Sequence, residues 1–223
     1  MSNDLTKKQP SFYPEVPMQQ TGENNVAVTN QVGGIVNFNY NITTNMPLPF
    51  GGISSELMIA VQSFSKKYYQ LLVTCEEDVF ENNIITIPAS RALTQYNVPE
   101  EIFKRCSTLT DAGIEELKTF PAIFCRENTE LKGVTDPNQW AMYAYIKKVR
   151  VYGKDIKIAF QPIGPIRQQV LCSPRNAIFF DLNMDCAITD LNHSAWSVRK
   201  TNLFEAFKEA GINNLPMPSE EVI

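Results

Sequence analysis

Hydrophobic positions change period along this chain, and each period predicts a different kind of element. Between residues 22 and 45 the apolar residues alternate, as Val26 and Val28 and then Ile35 or Val36, Phe38, Tyr40 and Ile42, on either side of Gly33-Gly34. Alternation around a Gly-Gly pair predicts two strands and a tight turn. From Ser55 to Phe80 the spacing becomes 4, 3, 4, 3, 4 and 4, through Leu57, Val61, Phe64, Tyr68, Leu71, Cys75 and Val79. That is nearly a heptad seam, and it predicts one amphipathic helix about 37 Å long at 1.5 Å per residue.

Further on, Ile84–Ile87 reads as a short strand ended by Pro88. Pro99-Glu100-Glu101 opens a second helix, because proline at the first position and acids in the first turn suit its positive end. Asp111–Phe120 predicts a third helix stopped by Pro121, and Ala122–Arg126 a strand. From Trp140 onward the period is two. Tyr145–Val151 and Ile156–Phe160 flank a turn at Tyr152-Gly153-Lys154-Asp155, and Ile166–Cys172 and Ala177–Leu182 continue the sheet. Asn202 predicts the N-cap of a last helix, with Glu205 as its capping-box partner, Leu203, Phe207 and Ala210 as its apolar stripe, and Gly211 as its C-cap. Trp196, just before it, is expected to pack that helix onto the sheet.

Helices followed by strands predict an α+β fold, a long amphipathic helix and short helices with a small antiparallel sheet or barrel-like C-terminal unit. The expected organisation is a flexible arm (1–21), an Asn/Gly-rich β segment (22–45), a helical part (54–120), a β-rich unit with its C-terminal helix (121–212) and a tail (213–223).

Charge adds an asymmetry. The chain carries a net −4, but residues 1–139 hold 10 Lys/Arg against 16 Asp/Glu, whereas residues 140–210 hold 10 against 6. The excess of cations gathers at the predicted hairpin, in Lys147, Lys148, Arg150, Lys154 and Lys157, with Tyr143, Tyr145 and Tyr152 interleaved. Basic and aromatic residues on a strand face can hold a single nucleic-acid strand; they also keep an exposed hairpin soluble and unpaired.

Candidate chemistry is sparse. His193, beside Ser194 and near Asp190, is the single histidine, and no Gly-x-Ser-x-Gly elbow accompanies it. No Cys-x-x-Cys pair is present, and five widely spaced cysteines suit buried thiols in a reduced compartment. Asp181–Asp185 opens like a calcium loop, but Cys186 replaces its glycine and Asn192 its bidentate acid. Phosphate-binding glycine loops are missing, and no apolar run reaches the ~20 residues of a membrane span. The expectation is a cytoplasmic, non-enzymatic protein with no catalytic residue, metal or cofactor.

Two resemblances extend this reading. FPAIFCREN, YIKKVRVYGKDIKIAFQPIGPI and LNHSAWSVRKTNLFEAFKEAGI, within residues 120–212, resemble an uncharacterised module of bacterial mobile-element and anti-phage accessory proteins. Asn30-Gln31-Val32-Gly33, Gly34-Ile35-Val36-Asn37 and Asn39-Tyr40-Asn41 are similar to the Gln-centred core of RIP homotypic interaction motifs and to bacterial amyloid-signalling motifs, with Asn30 where those families carry a β-branched residue. This resemblance implies self-association and a protein partner through Gln31, Val32, Gly33, Gly34, Asn37 and Asn39. Such side chains can ladder along a cross-β stack. The leading expectation is therefore an interaction component of a bacterial conflict system, self-associating through the β segment and the long helix. The alternative is a nucleic-acid-binding module built on the 143–157 hairpin, and a third reading is a hydrolase using His193.

Overall fold

The computed structural model describes residues 31–32, 35–36, 54–184 and 186–219. The chain divides into two units, Met1–Asn45 and Met46–Ile223. In the first, β1 (Gln31–Val32) and β2 (Ile35–Val36) pair antiparallel, Gln31 opposite Val36 and Val32 opposite Ile35. Gly33, Gly34, Asn37, Asn39 and the arm 1–21 lie outside the described residues.

In the second unit the order is α1 (Ser55–Gln62), β3 (Tyr69–Thr74), α2 (Val79–Asn82), β4 (Ile84–Pro88), α3 (Glu100–Cys106), α4 (Asp111–Lys118), β5 (Ala122–Arg126), β6 (Trp140–Tyr152), β7 (Asp155–Arg167), α5 (Gln168–Cys172), α6 (Pro174–Ala177), β8 (Ala195–Arg199) and α7 (Leu203–Glu209). The strands form one mixed sheet ordered β4-β7-β6-β5-β3-β8. Within it β3 and β5 run parallel, and the other neighbouring pairs are antiparallel. Helices and a mixed sheet make this an α+β fold.

The predicted 55–80 helix is two elements instead. α1 starts on Ser54, whose hydroxyl accepts the Leu57 N–H, and ends at Ser63. Ser65 then turns the chain, its hydroxyl accepting the N–H groups of Lys67 and Tyr68. The next six residues are a strand buried along its whole length. Positions spaced 3 and 4 apart satisfied a helical stripe, but Tyr69-Gln70-Leu71-Leu72-Val73-Thr74 is also a continuous run that a central strand, buried on both faces, requires. The predicted heptad seam is therefore not formed as one helix. The region 54–120 is not a separate helical part either, since it supplies β3 and β4 to the same sheet as the strands after residue 121.

The two sheet faces carry separate cores. On one, Leu72, Phe124, Ala144, Ile158 and Trp196 meet Ile102 and Cys106 of α3 and Leu117 of α4. On the other, Leu71, Ile123, Tyr143 and Ile166 meet Val61 of α1, Leu171 of α5 and Leu203 and Phe207 of α7. Trp196 therefore lies in β8 on the face away from α7, not between that helix and the sheet. Its indole N–H donates to Gln70 Oε1 at 3.1 Å, and Gln70 Nε2 donates to the carbonyls of Leu117 and Phe120. The expected strands at Ile166–Cys172 and Ala177–Leu182 are mostly helical: β7 ends at Arg167, and α5, α6 and a 3₁₀ turn follow. α6 opens on Pro174 at its first position, capped by the Ser173 hydroxyl, which accepts the Asn176 N–H.

Both sheet edges are partly occupied. On β4 the outward Thr86 N–H donates to the Glu76 carboxylate at 3.0 Å, and Pro88 has no N–H to offer. On β8 the segment after β4 returns: Leu93 N–H donates to the Trp196 carbonyl, Val198 N–H to the Asn97 carbonyl, and Ala92 bridges Trp196. Among the described residues, parts of each edge thus meet other segments of the same chain.

Candidate nucleic-acid interface

The β6–β7 hairpin reaches beyond both cores. Its ladder slips between Ile146 and Lys148, so Lys147 becomes the extra residue of a bulge. After it, Val149, Ile156 and Ile158 point into the core, and Lys148, Arg150, Tyr152 and Lys157 share the opposite face. Lys148 pairs with Ala159, Arg150 with Lys157 and Tyr152 with Asp155. Two cations directly opposite each other disfavour the bare ladder.

Two of the cations meet at Tyr152. Arg150 donates to the Tyr152 hydroxyl at 3.2 Å, and the Lys157 ammonium stands 5.9 Å from the ring centroid. The Arg150 hydrogen bond, with the fields of Arg150, Lys157 and Lys148, holds the Tyr152 phenol below its usual range. Tyr152 keeps half of its surface exposed, as does the neighbouring Val151. Among the described residues, Lys147, Lys148, Arg150, Lys154 and Lys157 have no carboxylate within ion-pair reach, although Arg105, Lys104, Lys118, Arg199 and Lys200 all have one. Asp155 is the single acid between positions 147 and 157. Lys154 sits at the turn, where Gly153 takes φ +59° and the Lys154 carbonyl accepts from Ala89.

The other two tyrosines lie on the same side of the sheet but are covered there. Tyr143 is fully buried and meets Phe207 edge-on at 5.3 Å, and burial pushes its phenol up. Tyr145 is half-buried against Phe64. Alternation in the sequence could not separate them from Tyr152, because burial by α1 and α7 is a tertiary event.

The residues around His193 do not assemble a catalytic group. His193 is exposed. Ser194, its neighbour, points inward: its hydroxyl donates to Glu127 Oε1 at 2.7 Å and accepts the Cys75 N–H. Asp190 is taken by Arg199 at 3.0 Å and by the Asn183 N–H. Cys125 and Cys172 are buried thiols, and desolvation raises both; Cys75 and Cys186 are exposed. Among the described residues no group of three His, Cys, Asp or Glu could hold a metal ion, and no helix is long and apolar enough to cross a membrane.

Sequence reasoning missed one polar cluster. At the ends of β3 and β5, Gln168 accepts the Arg126 N–H and donates to the Arg126 carbonyl and Asn128 Oδ1, while Gln139 donates to the carbonyls of Arg126 and Glu127. These glutamines stitch the 127–139 loop to the sheet, and Gln168-Gln169 carried no pattern that could announce it. No family model matches this chain, and neither a curated protein nor a solved structure shows significant similarity to it.

Proposed function

We propose that this protein is a non-enzymatic binding module that holds a nucleic-acid strand on the open face of the β6–β7 hairpin. The observation that supports this reading is that Arg150 and Lys157 meet at the exposed Tyr152, with Lys148 on the same face of the hairpin and none of the three paired with an acid among the described residues. Phosphates would replace the missing carboxylates, and the ring offers a surface on which a base can stack. The protein's net −4 then matters little, because the field near the hairpin is set by its local charges.

Titrating a labelled oligonucleotide at several salt concentrations tests it. With about four phosphates neutralised, log K should fall against log salt with a slope of roughly −3 to −4. Replacing Lys147, Lys148 and Arg150 with Gln should weaken binding at least ~10-fold and flatten the slope by about one unit for each phosphate no longer neutralised. Binding unchanged by the triple substitution, or flat against salt, would remove the hairpin from the interface.

A second reading keeps the N-terminal β segment as a self-association element of a bacterial conflict-system component. It is favoured by the β1–β2 pairing, because a two-stranded hairpin is marginal alone and gains from added strands. Light scattering should give a mass above one chain at micromolar concentration. Deleting residues 1–45 should return one chain of unchanged melting temperature; a wild-type protein that stays monomeric ends this reading.

A further inference from the structure

The open face of the hairpin is three strands wide. β4 stays paired with β7 as far as Asp155, so it accompanies the hairpin to its tip. The register sets rows across the three strands. Lys148, Ala159 and Ile84 form one row, and Arg150, Lys157 and Thr86 the next. At the tip Tyr152 stands level with Asp155 and Pro88. The residues between these rows, Ile85, Ile87, Ile156 and Ile158, are buried on the core side.

Charge divides this face lengthwise. β6 supplies Lys148 and Arg150, and Lys157 stands beside them on β7. The β4 column is uncharged, and its Ile84 keeps 45% of its surface exposed beside the half-buried Ala159. Past that column the Glu76 carboxylate holds the Thr86 N–H at 3.0 Å. A polyanion is therefore drawn to the β6 side and repelled at the far edge of β4. Between the two lies a shelf that suits an uncharged, apolar surface.

Width decides between a single strand and a duplex. A two-stranded ribbon can enter the major groove of a duplex, which is ~12 Å wide. Here the outer strand axes alone stand roughly 10 Å apart, at ~4.8 Å per spacing, and the core under α3 and α4 backs the same strands. Side chains make that slab wider than the groove. A duplex also keeps its base faces stacked inside, out of reach of Ile84 and Tyr152.

We infer that this face takes a single nucleic-acid strand with exposed bases, its phosphates along β6 and β7 and its bases laid toward β4, one of them on Ile84. The inference rests on the nucleic-acid reading above and adds to it the substrate class and the orientation. Ile84 is then a binding residue that carries no charge.

The experiment titrates the full-length chain, by fluorescence anisotropy, with a short DNA strand, an RNA strand of the same sequence, an abasic strand of the same length and a duplex. The abasic strand carries the same phosphates as the intact one and the duplex carries more, so attraction to phosphate alone would not favour the intact strand. An intact strand should bind at least ~10-fold more tightly than the abasic strand or the duplex, and the tighter of DNA and RNA names the sugar. Ile84→Trp should strengthen that binding at least ~5-fold, and Ile84→Thr should weaken it about 3-fold, with the abasic strand unaffected by either. Suppose the abasic strand or the duplex binds as tightly as the intact strand, or both Ile84 variants are without effect, while replacing Lys147, Lys148 and Arg150 with Gln still weakens binding. The single-strand inference is then overturned and the interface stands. Binding that ignores the triple substitution removes the interface and this inference together.

Discussion

Replacing Trp196 with alanine should lower the free energy of unfolding by about 4 kcal/mol, within the range for a large buried aromatic. The indole is fully buried and among the largest side chains of the core that α3 and α4 share with the sheet. Its loss leaves a cavity that the mixed sheet cannot collapse into, since β8 is held by β3 on one side and by residues 92–97 on the other. It also strands Gln70 Oε1, whose partner among the described residues is the indole N–H. Phenylalanine at 196 should recover much of the packing but not that hydrogen bond, so it should fall between alanine and wild type. Denaturant unfolding monitored by circular dichroism measures all three. Equal stability of the alanine variant and wild type would mean that β8 is not part of the folded core.

Leu71→Asp should prevent folding outright. Leu71 is 2% exposed at the centre of β3, between Ile123 of β5 and Ser197 of β8. A carboxylate there would sit among Val61, Ile123 and Tyr143, while the cation on the same face of β8, Arg199, is held by Asp190; a buried charge without a partner costs more than the whole stability of a typical domain unless it takes up a proton. Ile59→Asp in α1 should be nearly silent, because that side chain is 70% exposed. Leu71 lies on the predicted helical seam as well, so Val73→Asp separates the two arrangements: Val73 falls opposite that seam on a 55–80 helix but is 1% exposed in β3. Soluble yield and far-ultraviolet circular dichroism report all three variants, and a folded Leu71→Asp or Val73→Asp protein would contradict the placement of β3.

The candidate interface was half legible in the sequence. Lys147, Lys148, Arg150, Lys154 and Lys157 stand out as a cluster, and Tyr152-Gly153-Lys154-Asp155 marks the turn. Strict alternation, however, would put Ile146 on the same face as Lys148 and Arg150. The bulge at Lys147 removes that conflict by shifting the period one residue, so that Ile146 and Val149 both face the core. A slip of this kind is a property of two strands in register, which one strand's pattern does not carry.

What the sequence determined by itself is local. Asn202 caps the helix it precedes, Pro99 and two acids open α3, and Ile156, Ile158 and Phe160 alternate along β7. Each depends on groups within a few residues of one another, whose geometry the backbone alone dictates. The tertiary structure decided the rest. Residues 57–75 satisfy a 3.6-residue period and a continuous strand equally well, and the choice fell to β5 and β8, which supply backbone partners on both sides of β3 and cores on both faces. Buried N–H and C=O groups must be paired, so a segment placed between two strands becomes a strand, whatever helical stripe its side chains also permit.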